Sequence, residues 1–247
     1  MKYYNFTSFN DYAFKSGLYE LSLYKTVPNS RLADYFILFK GDKKQLVMIF
    51  DYCYVSLHDV LYYRKMAGYE WEESELLMVA RMLAQQLVEL AQVDVVHRDV
   101  RPANVFFAMV GIINSGQDKT TNSKRAASGL LNESINGDKF YTLMNLESAR
   151  MVDQHALMQD EDGDDVFTVK GSPVFNEGPV REALLREEHK ANYNPYLSGI
   201  VGLKHTLLAM VNLEPANVGV NHDDRIKKRP KVHELVKYMS SAECLNI

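Results

Sequence analysis

The sequence predicts an α+β fold, because strand-like apolar runs come early in the chain and helix-like spacing comes later. Two short apolar runs, 33–39 and 46–52, flank a polar turn at 41–44 and indicate a β-hairpin. The stretch 73–92 carries a broad apolar face at helical spacing, and the stretch 197–211 is apolar nearly all round. We therefore expect a small sheet followed by a largely helical region with a buried helix.

Composition excludes several classes of function. The chain has 247 residues, 47% of them hydrophobic and 24% charged, which is typical of a globular protein with a substantial core. Its formal net charge is -4, so no general basic field recruits nucleic acid. No apolar run approaches the roughly 20 residues that a membrane helix needs. We expect neither nucleic acid nor a membrane as a partner, and nothing in the sequence indicates an oligomeric state.

Cysteine usage indicates the compartment. The two cysteines, Cys53 and Cys244, lie far apart and lack the spacing of a metal site. The N-terminus also lacks the apolar segment of a secretory signal. These features favour a reducing environment inside the cell, cytoplasmic or nuclear.

The remaining elements follow local signals in chain order. Residues 12–27 have helical spacing ahead of the hairpin. Ser56 is a candidate N-cap, with Asp59 three residues on, for a helix over 57–67. Asn194 followed by Pro195 predicts the start of the buried helix. A last helix is predicted over 232–239.

Two segments are predicted to be loops. Residues 108–138 are polar and rich in glycine and serine, so we expect a mostly disordered surface insertion. The acidic run 160–165 lacks the spacing of a calcium loop and is interpreted as a second, solvated loop.

The stretch HRDVRPAN, 97–104, fits the pattern H-R-D-x-x-x-x-N. In the chemistry that needs this spacing, an aspartate accepts the proton of a substrate hydroxyl, and an asparagine five residues on binds magnesium from the same loop. Asp99 and Asn104 occupy these two positions. The pattern follows the predicted helix 73–92, and four fixed residues seldom match by chance.

With this motif, the chain resembles a protein-kinase domain. The resemblance implies a partial N-lobe at 1–52 and a mainly helical C-lobe at 53–247, interrupted by the insertion at 108–138. LVMIFDYC, 46–53, resembles the last N-lobe strand entering the hinge. Three more matches are GSP at 171–173 for the end of the activation segment, 194–211 for the central helix, and Arg229-Pro230 before the last helix.

The resemblance also implies the residues that would bind ATP. Phe50 takes the gatekeeper position, and Asp51 and Cys53 lie in the hinge. Arg101 stands where serine/threonine kinases usually carry a lysine, and its positive charge can meet a transferring phosphate.

Glu20 lies where the family's C-helix carries the glutamate that pairs with a nucleotide-binding lysine. Two lysines are candidates for its partner. Lys15 lies five residues before Glu20, which leaves too little chain for a strand, a turn and half a helix. Lys2 lies 18 residues before it and leaves that room, so we interpret Lys2 as the end of the lysine strand. On this interpretation the chain begins inside that strand, and no glycine-rich loop covers the phosphates.

The metal site departs from the family pattern. Asn145-Leu146-Glu147 replaces the family's D-F-G, whose aspartate binds magnesium. Asn145 keeps a carbonyl oxygen but loses the charge that a hard cation prefers. Glu147 offers a carboxylate two residues further on. The expected ligands are therefore Asn104, Asn145 and Glu147, an incomplete set.

Two structural positions depart as well. Gly178-Pro179-Val180 replaces A-P-E, so Val180 cannot pair with Arg229, and Glu177 or Glu182 would have to shift to do so. Asn194 stands where the family usually has aspartate, a milder change because asparagine can still accept a hydrogen bond.

These features predict a pseudokinase, a degenerate kinase domain that acts as a scaffold or allosteric partner of another protein. ATP and magnesium are the cofactors implied by the resemblance, and the altered site predicts weak binding or none. The alternative is an active serine/threonine kinase with an atypical metal site, Asp99 as base and a protein substrate. A third interpretation is a fragment or incomplete gene model whose first strands lie upstream.

Overall fold

The structure, a computed structural model, describes residues 1–27, 32–50, 55–109, 139–152, 158–159, 165–214, 223–241 and 244. Helices combine with short antiparallel sheets, which confirms a mixed helical and stranded fold. The helices are α1 (Tyr12–Thr26), α2 (Leu57–Ala67), α3 (Glu73–Ala91), α4 (Gly178–Leu185), α5 (Pro195–Asn212), α6 (Asp223–Lys227) and α7 (Pro230–Tyr238). Across the described residues, none of these helices combines the length and apolar character needed to cross a bilayer.

The strands form small sheets whose neighbours all run antiparallel. The sheets are ordered β1-β3-β2, β4-β6-β7, β5-β8 and β11-β10-β9. The strands are β1 (Lys2–Phe6), β2 (Leu32–Lys40), β3 (Lys43–Phe50), β4 (Val55–Ser56), β5 (Val95–Val96), β6 (Val105–Met109), β7 (Lys139–Leu143), β8 (Arg150–Met151), β9 (Met158–Gln159), β10 (Asp165–Thr168) and β11 (Lys190–Ala191).

The predicted hairpin is confirmed, with a tighter turn than expected. β2 pairs with β3 as far as Lys40 opposite Lys43, so only Gly41 and Asp42 connect the strands. Gly41 has a φ of 59°, a left-handed conformation that glycine adopts without steric cost. β1 pairs along the other edge of β3, with Lys2 opposite Met48. The strand that contains Lys2 thus continues to Phe6 instead of ending at Lys2.

Local capping explains where the long helices begin. The Ser56 hydroxyl accepts a hydrogen bond from the Asp59 amide at 3.2 Å, which confirms the predicted cap of α2. Glu72 and Glu75 form a reciprocal cap at the start of α3. The Asn194 side chain caps α5 by accepting from the amide of Tyr196 at 3.0 Å. The helices predicted at 12–27, 57–67, 73–92 and 197–211 are confirmed to within two residues at each end.

Other elements differ from the prediction. Residues 108 and 109, predicted to start the loop, instead extend β6 against β7; residues 110–138 lie outside the described part of the chain. Of the acidic run, Asp165 begins β10, and 160–164 likewise lie outside the description. Helix α4 was not predicted, although Pro179 at its start was a usable signal. The last helix begins at Pro230, two residues before the predicted start.

The apolar core consists of two clusters that meet near the end of α3. The larger one packs α2, α3 and α5 together and includes the fully buried Trp71. The smaller one packs α1 against β1 and β3 and continues into Leu90, Val95 and Leu146. The H-R-D motif starts directly after Val95 and Val96, so it lies where the two clusters join.

Candidate functional site

The loop 97–104 is held in place by His97. Its Nε2 donates to the carbonyl oxygen of Met144 at 3.0 Å, and its Nδ1 accepts from the Asp99 amide at 3.3 Å. One nitrogen therefore donates and the other accepts, which is the pattern of a neutral imidazole. Burial lowers the pKa of His97, consistent with that neutral form. Both ring nitrogens of His97 therefore serve to hold the loop.

Asp99 and Asn104 lie together inside the loop. The Asn104 amide donates to the Asp99 carbonyl at 2.8 Å and to Asp99 Oδ2 at 2.7 Å. Arg101 Nε donates to the same carboxylate oxygen at 3.0 Å. The second oxygen, Oδ1, is buried without a hydrogen-bond partner among the described residues. Asp99 thus has one oxygen bound to its own loop and one uncommitted.

Gly171 lies against the loop 97–104, close to Arg98 and Asp99. Its φ of 115° is strained for any residue with a side chain. A Cβ there would lie 2.5 Å from the carbonyl oxygen of Arg98 and 3.4 Å from Asp99 Oδ1. The position therefore requires glycine so that the segment can approach the motif.

Asn145 links this loop to Lys2. Its Oδ1 accepts from Lys2 Nζ at 2.8 Å, and its Nδ2 donates to Asn104 Oδ1 at 3.0 Å. Because Asn104 in turn donates to Asp99, a directed chain of hydrogen bonds runs from Lys2 through both asparagines to the aspartate. Asn145 has a φ of 67°, a left-handed conformation that asparagine tolerates better than most residues.

Lys2 and Glu20 form the predicted ion pair, 2.8 Å from Nζ to Oε2. Glu20 is 1% exposed and also accepts a short hydrogen bond from the Tyr4 hydroxyl. Burial, and then this bond to the carboxylate, raise the pKa of Tyr4. Lys2 also reaches Glu147 Oε2 at 3.2 Å. Lys15, the other candidate, is an exposed residue of α1.

Tyr24 is a site residue that the sequence analysis missed. Its hydroxyl accepts from the backbone amides of Asn145 at 2.9 Å and of Leu146 at 3.3 Å. Its ring packs edge-on against Phe50, with centroids 4.8 Å apart. Tyr24 follows Glu20 by four residues and so lies on the same face of α1, which was the one available signal.

Of the three residues predicted to contact ATP near the hinge, one lies in the described part of the chain. Phe50 is half-buried at the end of β3 and contacts Tyr24. Asp51 and Cys53 lie outside the described residues.

The expected metal ligands do not fit a magnesium ion as they are arranged. The side-chain oxygens of Asn104 and Asn145 both accept hydrogen bonds, and Glu147 is bound to Lys2. Within the described ranges, no group of three or more His, Cys, Asp or Glu side chains is placed to hold a metal. Magnesium prefers anionic oxygens in near-octahedral geometry. Here the ammonium of Lys2 and the amide of Asn145 bind the oxygens that would have to face the ion.

Arg229 finds a different partner from those expected. Its Nη2 lies 2.9 Å from Glu70 Oε2 and 3.0 Å from the Trp71 carbonyl oxygen. Glu177, one of the two carboxylates that would have had to shift toward Arg229, instead binds Lys204 and His205, and Glu70, which precedes α3, lies beside Arg229.

Glu177 instead ties α4 to α5. Its Oε1 lies 2.6 Å from Lys204 Nζ and 2.7 Å from His205 Nε2. The hydrogen bond from His205, followed by that from Lys204, lowers the pKa of Glu177 to about 2. This carboxylate therefore stays charged and anchors the segment that follows Gly171.

Comparison with known proteins finds no matching family model and no matching curated protein.

Proposed function

We propose that this chain is a degenerate protein-kinase domain, a pseudokinase, that acts as a scaffold or allosteric partner of another protein. The single observation that carries the proposal is the amide of Asn145, which bridges Lys2 and Asn104. Asn145 stands where a working site carries the aspartate that holds magnesium together with the loop asparagine, and its amide instead bonds that asparagine directly.

The bridge needs an amide and not a carboxylate. Asn104 Oδ1 accepts a hydrogen bond from Asn145 Nδ2, and an aspartate at 145 would have no donor for it. Asn104 Oδ1 and the new carboxylate oxygen would then face each other unless a cation lay between them. Asparagine therefore satisfies the site in the absence of a metal, which supports loss of metal-dependent phosphoryl transfer.

The contacts of α1 support the same proposal. Lys2 and Tyr24 hold the Asn145 segment against the helix that carries Glu20. A segment fixed to α1 by side chains of the domain itself suits a role in binding other proteins.

The setting that we propose is intracellular, cytoplasmic or nuclear, with a protein partner. It is supported by the scarcity of cysteine and by Cys244, which is buried and free. ATP and magnesium would contribute little to this role.

The test is phosphate transfer from radiolabelled ATP and magnesium to acidic and basic general protein substrates. The wild type and Asp99→Ala are compared, with both melting curves recorded to establish folding. We expect both proteins to remain at background. Transfer by the wild type that Asp99→Ala abolishes would overturn the proposal.

A second candidate is an active serine/threonine kinase with an atypical metal site. One observation favours it, the buried Asp99 Oδ1 that has no hydrogen-bond partner in the described chain and could accept a proton. On this reading Asn145→Asp, which restores the charge, raises turnover and Asp99→Ala removes it. Background activity in all three proteins excludes this candidate.

A further inference from the structure

A cavity lies beside the start of the motif loop, where Val95, Val96 and His97 form part of its wall. Its volume is about 370 Å³, within the range of sites that bind small molecules. α3, α5, α7 and β5 form its walls, and the lining is predominantly aliphatic, including Leu87, Leu90, Val95, Ile200, Leu203 and Leu235.

The one imidazole in the wall presents carbon to the cavity. His97 lines it, but both of its ring nitrogens are bonded inside the loop, to the Met144 carbonyl and the Asp99 amide. The aliphatic wall and the fully bonded imidazole therefore favour a hydrocarbon ligand inside the cavity.

The mouth of the cavity exposes large apolar side chains from three helices. Val88 of α3 is 51% exposed, Tyr196 of α5 37% and Tyr238 of α7 48%. Exposed apolar groups gathered around a cavity mark a binding site more often than scattered ones do. Each of the two tyrosines combines an apolar ring with a polar hydroxyl at this rim, and the hydroxyl of Tyr196 donates to Asp94 Oδ1 at 3.3 Å.

The geometry points to a site for a single alkyl chain with a polar head, as in a free fatty acid. A methylene group is about as large as the share of one water molecule in the liquid, about 30 Å³, so the cavity accommodates about twelve carbons. The chain lies among the aliphatic walls and the head remains at the tyrosine rim. This site does not depend on the proposed function, since it requires neither nucleotide nor metal.

A ligand in the cavity would contact residues of the motif loop directly. Val95, Val96 and His97 line the cavity and immediately precede Arg98 and Asp99. β5 also pairs with β8, which follows the Asn145 segment. A bound chain therefore slows amide exchange at 95–99 and in β8.

The test titrates the full-length protein calorimetrically with saturated fatty acids of 8, 10, 12 and 14 carbons, each below its micelle concentration. Affinity is expected to rise about fourfold for each added methylene and to level off near about twelve carbons, because only the enclosed part of the chain is removed from water.

Ala84→Phe tests the location. Ala84 is exposed and lines the mouth, so the added ring obstructs entry without disturbing the core. It should weaken dodecanoate binding about tenfold. Gln85→Phe is the matched control, because Gln85 is also exposed but does not line the cavity, and it should change affinity by less than about twofold.

Three results would overturn the inference. They are no binding by a wild type with a normal melting curve, an affinity independent of chain length, and equal weakening by the two phenylalanine variants. Slower exchange at 95–99 with dodecanoate, absent in Ala84→Phe, would support it.

Discussion

The loop 97–104 and the segment 145–147 form two sides of one site, but their hydrogen bonds are organised differently. In the loop, Asp99 binds residues only two and five positions away. In the segment, Asn145 binds Lys2, Tyr24 and Asn104, which come from three distant parts of the chain.

On the proposed function, this difference explains how the motif can persist without phosphoryl transfer. The hydrogen bonds of Asp99 and Asn104 stabilise their own loop, so both residues have a structural use whether or not phosphate is transferred. The side chain of Asn145 bonds distant parts of the chain instead, so its identity depends on how the two sides of the site are joined. The segment is therefore more informative about function than the loop.

The largest expected effect comes from removing the cation that ties the segment to α1. Lys2→Met leaves Glu20, which is 1% exposed, without its ion pair. We expect a loss of about 3 kcal/mol in the free energy of unfolding, since an unpaired buried charge is costly. Urea unfolding followed by the fluorescence of Trp71 measures it. Lys15→Met, at an exposed position of the same charge, should stay within about 0.5 kcal/mol.

Asn145→Asp tests the amide bridge itself. The change keeps the size and the tolerance of a left-handed backbone but replaces the donor to Asn104 with an oxygen. We expect a loss of about 2 kcal/mol in EDTA, reduced when magnesium is added. Asn10→Asp adds the same charge at an exposed site and should show neither effect. A variant as stable as the wild type in EDTA would contradict the bridge.

Tyr24→Phe tests the contribution of the hydroxyl apart from that of the ring. The ring can still pack on Phe50, but the amides of Asn145 and Leu146 lose their acceptor. We expect a loss of about 1 kcal/mol, with faster amide exchange confined to the segment. Tyr12→Phe, at a side chain that is 78% exposed, serves as the control. Equal exchange in both variants would show that the hydroxyl does not hold the segment.

The smallest effect is a pH dependence on the loop side. Burial holds the pKa of His97 below its ordinary value of 6.5, so the unfolded chain takes up a proton there before the folded protein does. The stability from the neutral ring is fully present above about pH 6.5 and is lost as pH falls toward the folded pKa.

The stability gap between wild type and His97→Gln should therefore shrink from pH 8 to pH 5, as measured by urea unfolding at each pH. His233→Gln, at an exposed site, should leave a gap that does not change in this way. A constant gap for His97→Gln would show that the ring titrates alike in both states.

Local chemistry explains which features could be predicted. Ser56 and Asn194 cap helices through residues two or three positions away, and such signals are readable in sequence. The resemblance implied that Glu20 pairs with a lysine and that Asn104 and Asn145 share a site, and chain length favoured Lys2 over Lys15. By contrast, Arg229 meets Glu70 across 159 positions, and only the folded chain brings these two together.

The most direct test of the central claim is the melting temperature of the wild type with ATP, in magnesium and in EDTA. On the proposed function, the amide of Asn145 replaces the carboxylate that would bind magnesium, so we expect no magnesium-dependent shift. Asn145→Asp under the same conditions provides the comparison, with magnesium raising its melting temperature. A clear rise for the wild type in ATP with magnesium, absent in EDTA, would contradict the account.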